Sequence, residues 1–157
     1  MPALRPCLWL TPDEAAKALD LYTSLLPDTR VEASWHVDNH DMPEHGVDIH
    51  HLDVAGTQVQ IMACARYSDF TDAVSMYLVV DDQAALDRVW DGFVAAGGEE
   101  VQCGWVRDPF GVRWQVVPRV FEELTSGDDQ AQRQRVVEAV WRMVRIDAAA
   151  LEAAARG

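Results

Sequence analysis

The residues of this chain best suited to acid–base or metal chemistry are its five histidines and the carboxylates near them. They are His36, His40, His45, His50 and His51, with Asp38, Asp41, Glu44 and Asp48 between them. Imidazole and carboxylate groups bind divalent transition metals, and imidazole is the commonest general base. No HxH or HxxxH pair, however, lies on one helix or one strand face where it would preorganise a metal site. We expect solvated loop histidines and one satisfied pocket or core histidine. His50 and His51, which point to opposite faces of a strand, are the best general-base candidates.

A nucleophilic serine or cysteine needs a sharp turn that presents it to the substrate. Ser24, Ser68, Ser75 and Cys103 lack that context, and Cys103 is expected to be a small, buried side chain. A methyltransferase of the doubly wound type needs a glycine-rich turn that opens a helix. The glycine pair at residues 97–98 instead ends a predicted helix, which argues against a methyltransferase.

The segment QCGWVRDPFGVRWQVVP, residues 102–118, predicts a β-hairpin that carries two tryptophans and a glutamine. Pro109 and Gly111 suit a tight turn, and the flanking residues 101–107 and 112–117 are rich in aromatic and β-branched side chains. Trp105, Trp114 and Gln115 are therefore expected on paired strands.

The predicted strands and helices of the chain, including this hairpin, occur in the same order twice. In the first half, an apolar strand at residues 4–10 is followed by a capping box at Thr11, Pro12 and Glu14 that starts a helix. Three further strands are predicted at residues 30–37, 47–54 and 57–63. In the second half, a strand at residues 74–80 precedes a helix capped by Asp82, and residues 99–117 supply the remaining strands. The repeated order, β-α-β-β-β, predicts two similar modules.

After Pro118 the amino-acid composition changes, and only helices are predicted. They lie at residues 120–124, 130–144 and 148–154. Val136, Val137, Val140, Trp141 and Val144 form one apolar stripe on the middle helix. We therefore expect residues 119–157 to form a helical extension that packs on the body or on a partner subunit. Trp35, Trp90 and Trp141 are expected in the core, because they occupy apolar positions of regular elements.

The composition of the chain argues against several classes of function. The chain has 157 residues and a net charge of −13, which argues against nucleic acid and anionic membranes, since both are bound by clustered Lys and Arg. Its three cysteines are far apart and favour reduced thiols over disulfides or zinc. No signal peptide or membrane span is predicted, so a cytoplasmic location is expected.

Paired βαβββ modules resemble the vicinal-oxygen-chelate superfamily of glyoxalases, extradiol dioxygenases and bleomycin- and fosfomycin-resistance proteins. Within this superfamily, the sequence is most similar to the PhnB-like branch. Members of that branch are often labelled demethylubiquinone methyltransferase. The similarity lies in LWLTPDEAAKALDLYTSLLP, in the hairpin at residues 53–63, in residues 75–98, in the 102–118 segment and in MVRIDAAALEAA. It implies an α+β fold in which modules at about residues 1–64 and 74–118 form a cupped mixed sheet, followed by the helical extension. It also implies a homodimer.

Metal-dependent members of the superfamily carry His and Glu ligands on inward strand positions of both modules. Carried over by this resemblance, the first position falls within residues 4–8, where Cys7 is the only conceivable ligand. The others fall near Gln60, on or beside Ser75, and on Gln115. Amides and a hydroxyl bind a transition metal poorly, so no metal and no other cofactor is expected.

These observations predict a protein that binds a small organic molecule in the cup, with an unknown natural ligand. The predicted lining is Trp9, Gln60, Met62, Ser75, Trp105 and Gln115, whose amides and aromatic rings suit hydrogen-bonded and stacked recognition. Two alternatives stay open. One is a lyase, isomerase or dioxygenase with an unrecognised metal or base, and the other is a structural dimer whose cup is filled by its own side chains.

Overall fold

A computed structural model describes residues 3–40, 46–66 and 68–157 of the chain. The fold divides into two compact units, Met1–Asp69 and Phe70–Gly157. Each unit contains a four-stranded mixed sheet. The described residues form eight strands and five helices, so the predicted α+β class is confirmed.

The first unit has the predicted element order. Its elements are β1 (Cys7–Leu10), α1 (Pro12–Leu25), β2 (Arg30–Val37), β3 (Val47–Val54) and β4 (Thr57–Ala63). The strand order across the sheet is β1-β4-β3-β2, with β1 parallel to β4 and the other pairs antiparallel. The capping box is present, since Thr11 Oγ1 accepts the Glu14 N–H while Glu14 Oε2 accepts the Thr11 N–H. The sheet covers the helix face of Ala15, Ala18 and Tyr22, which is buried.

The second unit repeats the order. Its elements are β5 (Met76–Val80), α2 (Gln83–Ala95), β6 (Glu99–Glu100), β7 (Trp105–Arg107) and β8 (Arg113–Pro118). The sheet order β5-β8-β7-β6 matches that of the first unit, with β5 and β8 as the parallel pair. The apolar side of α2 is fully buried, and the ring of its Phe93 lies 5.4 Å from that of Trp114 on β8. Asp82 caps α2 as predicted.

Several strands are shorter than the sequence suggested. The first begins at Cys7 instead of Leu4, and the fifth begins at Met76 instead of Val74. The strand expected over residues 101–107 is confined to Trp105–Arg107. The reason lies in the backbone of Cys103 and Gly104, whose φ values of 63° and 78° are left-handed and interrupt an extended chain.

The tail contains three helices, α3 (Arg119–Ser126), α4 (Gln130–Val140) and α5 (Ala148–Arg156). The helix expected to reach Val144 ends at Val140, because the chain turns there to place Ile146 in the core. Val136 and Val140 are buried, but Trp141 is 61% exposed, so the apolar stripe is interrupted. Core placement is confirmed for Trp90 and is wrong for Trp141 and for Trp35, which is 44% exposed on the edge strand β2.

The tail packs on the second unit of its own chain. Arg145 forms ion pairs with Asp87 and Asp91 of α2, and its guanidinium lies 5.5 Å from the centre of the Trp90 ring. The side chain of Gln83 bonds both the Ile146 carbonyl and the Ala148 N–H. Across the part of the chain that the structure describes, no helix is both long and apolar enough to cross a bilayer.

Candidate functional site

The face of each sheet opposite its helix carries the predicted site residues. In the first unit, the register pairs Cys7 with Gln60 and Trp9 with Met62, so these four side chains share one face. The apolar residues between them, such as Ile61, point to the other face and are buried against α1. Trp9, Gln60 and Met62 are all half-buried. Alternation in the strands therefore places them together, as the sequence predicted.

A chain of polar contacts crosses this face. The Gln60 side chain donates through Nε2 to Cys7 Sγ at 3.3 Å, and its Oε1 lies 3.0 Å from His51 Nε2. Arg5 Nη1 lies 3.0 Å from His51 Nδ1. The same arginine nitrogen lies 3.2 Å from His51 Nε2. Both ring nitrogens of this general-base candidate are thus engaged.

His50 lies on the opposite face, as predicted from alternation. Its Nδ1 is 2.8 Å from the Ser34 hydroxyl on the neighbouring strand. His36 lies 2.7 Å from Asp48 and 3.3 Å from Asp38 through its two ring nitrogens. Asp41, Glu44 and His45 of the predicted histidine loop lie outside the described residues. His36, His50 and His51 therefore each contact different polar side chains.

The second unit places Ser75, Trp105 and Gln115 on the face opposite α2. Trp105 and Gln115 are directly paired across β7 and β8, and Gln115 Nε2 donates to Ser75 Oγ at 2.8 Å. Tyr77 lies beside Gln115 on β5. Burial raises the pKa of the Tyr77 hydroxyl above its ordinary value, and the nearby Glu122 carboxylate adds to the effect. The part of this face around Gln115 therefore carries neutral polar and aromatic groups.

A cavity of about 320 Å³ opens beside Trp105 in the second unit. The residues that line it include Asp72, Gln102, Cys103, Trp105, Arg107 and Arg113. Among the six predicted site residues, the structure places Trp105 on this cavity, whereas Ser75 and Gln115 are neighbours of it along the same sheet. Trp9, Gln60 and Met62 belong to the first unit.

The wall of the cavity is shaped by the left-handed turn at Cys103 and Gly104. The Cys103 N–H donates to the Met143 carbonyl and the Gly104 N–H donates to the Val144 carbonyl, each at 2.8 Å. Gly104 has a left-handed φ of 78°, and a Cβ atom there would lie 2.7 Å from Ile146 Cδ1, so both the backbone and the packing favour glycine. Cys103 is half-buried at the cavity and not the buried filler that was expected.

Charged groups occupy one side of the cavity. Arg107 and Arg113 are cross-strand partners, so both guanidinium groups leave the same face of the sheet as Trp105. Arg113 Nε donates to Asp72 Oδ1 at 2.7 Å, and Arg107 Nη1 donates to Glu99 Oε2 at 2.8 Å. The hydrogen bond from Arg113 lowers the pKa of the Asp72 carboxyl, and the charges of both arginines contribute.

Sequence reasoning missed Asp72, Arg107 and Arg113. Alternation along the predicted hairpin could have found the two arginines, because residues 105 and 107 share a face with residues 113 and 115. Asp72 lies in the turn before β5, where no periodic pattern fixes the direction of a side chain. Its position depends on how the chain enters the second sheet.

The positions that would chelate a metal in the superfamily do not fit one here. The Gln60 amide already contacts Cys7 and His51, and the Gln115 amide donates to Ser75. These donors are neutral amides, a hydroxyl and a thiol, in place of imidazole and carboxylate. Within the described ranges, no three His, Cys, Asp or Glu side chains are grouped so that they could hold a metal ion.

A sequence model of one protein family matches most of the chain. The model described as 3-demethylubiquinone-9 3-methyltransferase matches residues 2–117. The chain belongs to this family. No curated protein sequence matches it. The resemblance to the PhnB-like branch, which was drawn from the residues, is confirmed.

Solved structures show the same fold. A putative 3-demethylubiquinone-9 3-methyltransferase, PhnB protein, from Bacillus cereus is 20% identical, with a TM-score of 0.64 over 74% of this chain and 99% of that one. Protein PA1353 from Pseudomonas aeruginosa is also 20% identical, with a TM-score of 0.61 over 75% and 98%. The fosfomycin resistance protein FosX from Listeria monocytogenes is 12% identical, with a TM-score of 0.52 over 74% and 91%. These likenesses place the chain in the glyoxalase and bleomycin-resistance fold.

Proposed function

We propose that this protein binds a small organic molecule, without a chelated transition metal, on the sheet faces opposite α1 and α2. The observation that carries the proposal is the cavity of about 320 Å³ beside Trp105. Ligand cavities in proteins commonly span about 300–1,000 Å³ and combine aromatic walls with a few polar groups. The cavity in the second unit has this composition and lies at the lower end of that range.

The predicted site residues take distinct parts in this proposal. Trp105 offers a flat aromatic surface against which a ligand ring can stack. Ser75 and Gln115, paired at 2.8 Å, lie on the same face and offer a hydroxyl and an amide to a polar substituent. Trp9, Gln60 and Met62 make up the corresponding face of the first unit.

The methyltransferase description comes from the name of the family model. A doubly wound methyltransferase binds its cofactor where a glycine-rich turn opens a helix. In this chain Gly97, with a φ of 102°, follows the end of α2 and so ends that helix. We therefore propose binding, and not methyl transfer. The alternative is a lyase, isomerase or dioxygenase of the same superfamily, and stoichiometric metal in the purified protein would favour it.

We further propose that the protein is a cytoplasmic homodimer. All eight residues of the edge strand β2 are exposed, including Trp35 and Val37. Long exposed edges with apolar side chains tend to be covered by another chain. The strand therefore supports pairing of two copies.

Native mass spectrometry of gently purified protein, combined with elemental analysis, tests the proposed function. We expect a bound organic molecule that disappears in Trp105→Ala and persists in the matched control Trp141→Ala, whose side chain is 61% exposed. Zinc, nickel, manganese or iron at one equivalent per chain would contradict the metal-free assignment. Equal ligand occupancy in both variants would show that Trp105 does not contribute to ligand binding.

A further inference from the structure

We propose that the cavity beside Trp105 takes a small aromatic carboxylic acid, whose carboxylate replaces that of Asp72 between Arg107 and Arg113. This inference rests on the proposed small-molecule binding and specifies the chemical class of the ligand. The ring of the acid would lie against Trp105, and its carboxylate would face the two guanidinium groups.

The first support is the pairing of two like charges. Arg107 and Arg113 are directly opposite each other on β7 and β8, where like charges repel unless an anion lies between them. Asp72 supplies that anion in the structure. Its Oδ1 accepts from Arg113 at 2.7 Å, while its Oδ2 is 3.7 Å from Arg107 Nη2. A carboxylate is therefore the group that this pair of arginines accommodates.

The second support is that Arg107 is incompletely satisfied by Asp72. The distance of 3.7 Å is too long for a hydrogen bond. Among the described side chains, Arg107 Nε is the buried nitrogen that has no hydrogen-bond partner. A carboxylate placed closer to Arg107 than Asp72 is would accept at Nη2 the hydrogen bond that Asp72 does not make.

The third support is the weak anchoring of Asp72 itself. Its side chain is 64% exposed and it lies in a turn, outside any helix or strand. Arg113 is only 15% exposed and belongs to β8, so the arginine is fixed while its acidic partner can move. Exposed ion pairs contribute little to stability, so an incoming carboxylate attached to a stacked ring can displace Asp72 at small cost.

Matched pairs of acids and amides test the inference on the full chain. The probes are benzoate with benzamide and indole-3-acetate with indole-3-acetamide, followed by NMR through the indole N–H signal of Trp105. That signal is assigned from its loss in Trp105→Phe. We expect the acids to shift it and bind at least tenfold more tightly than their amides. In Arg107→Gln and Arg113→Gln, we expect the acids to lose at least tenfold in affinity.

Asp72→Asn tests displacement directly, because it removes the competing charge and keeps the shape of the side chain. We expect threefold to tenfold tighter binding of the acids and no change for the amides. Asp81→Asn is the matched control, since Asp81 is an exposed partner of Arg119 at 2.6 Å and does not line the cavity. Circular dichroism confirms folding of each variant, and Arg107→Gln remains informative if Arg113→Gln is unfolded.

The outcomes separate the inference from the proposed function. Equal binding of acids and amides would overturn the carboxylate inference and leave small-molecule binding at Trp105 intact. An acid affinity that Asp72→Asn leaves unchanged would overturn displacement. If no probe shifts the Trp105 signal, and no molecule co-purifies with the protein, both the inference and the proposed function are wrong.

Discussion

The buried carboxylate of Asp108 accepts the indole N–H of Trp114 at 3.0 Å, across the turn that joins β7 to β8. The other oxygen of Asp108 accepts the backbone N–H groups of Phe110 and Val112, each at 2.9 Å. One side chain therefore fixes both the turn and the tryptophan behind it. Since Arg107 and Arg113 flank this turn, Asp108 also sets the spacing of the two arginines at the cavity.

Replacing Asp108 tests this role. We expect Asp108→Asn to lower the free energy of unfolding by about 2 kcal/mol, because hydrogen bonds to a charged acceptor contribute about 1.5–3 kcal/mol and the amide nitrogen cannot accept. Urea denaturation monitored by circular dichroism provides the measurement. The control is Asp81→Asn at an exposed ion pair, for which a change within about 0.5 kcal/mol is expected. Equal losses in the two variants would contradict the assignment.

The contact of the tail with α2 gives a second prediction. Arg145 bonds Asp87 at 3.1 Å and Asp91 at 2.5 Å while it lies over the Trp90 ring. Arg145→Lys keeps the charge but loses the planar fork, so we expect a loss of about 1 kcal/mol in unfolding free energy. Amide hydrogen exchange at residues 143–147 should increase at the same time. Arg142→Lys, at an exposed neighbouring position, is the control, and similar exchange in both variants would argue against anchoring by Arg145.

His36 provides a prediction about pH. The hydrogen bond with Asp48 raises the pKa of His36 above its ordinary value of 6.5, and Asp38 contributes further. A raised pKa in the folded state means that the stabilisation is fully present below the unfolded value. It is lost as the pH rises through the folded value. An NMR titration should give a midpoint above 6.5 in the native chain and a lower one in Asp48→Asn. A midpoint that Asp48→Asn leaves in place would show that another group is responsible.

The homodimer is tested by light scattering at micromolar concentration. We expect the mass of two chains, and we expect Trp35→Glu to shift the equilibrium toward the monomer, because a charge on the β2 edge opposes pairing. Trp141→Glu is the matched variant in the tail, and a shift there instead would assign the interface to the extension. A monomer mass for the native chain at every concentration tested would contradict the proposal.

Local patterns predicted much of the fold and part of the site. The capping box at Thr11 and the cap at Asp82 appear where the sequence placed them, because each depends on a few adjacent residues. Alternation likewise put Trp105 and Gln115 on one face. Trp35 and Trp141 were misplaced, since an apolar position in a strand or helix pattern does not reveal whether the sheet ends there or the helix stops.

The cavity itself could not have been predicted from these patterns. It depends on the left-handed turn at Cys103, a residue type for which such a backbone is uncommon, and on Asp72, which lies far from the hairpin in sequence. Both are set by tertiary contacts. The arginine pair was within reach of strand alternation, but its significance depends on the acidic partner that only the fold brings near.

The backbone contacts of Cys103 and Gly104 with Met143 and Val144 have a consequence for the shape of the cavity. The match to the family model ends at residue 117, whereas the segment that supports the cavity wall lies beyond it. The second sheet and the tail thus meet at one recess. Shortening the tail would remove the carbonyl groups that hold Cys103 and Gly104, so the shape of the recess depends on the tail as well as on the strands.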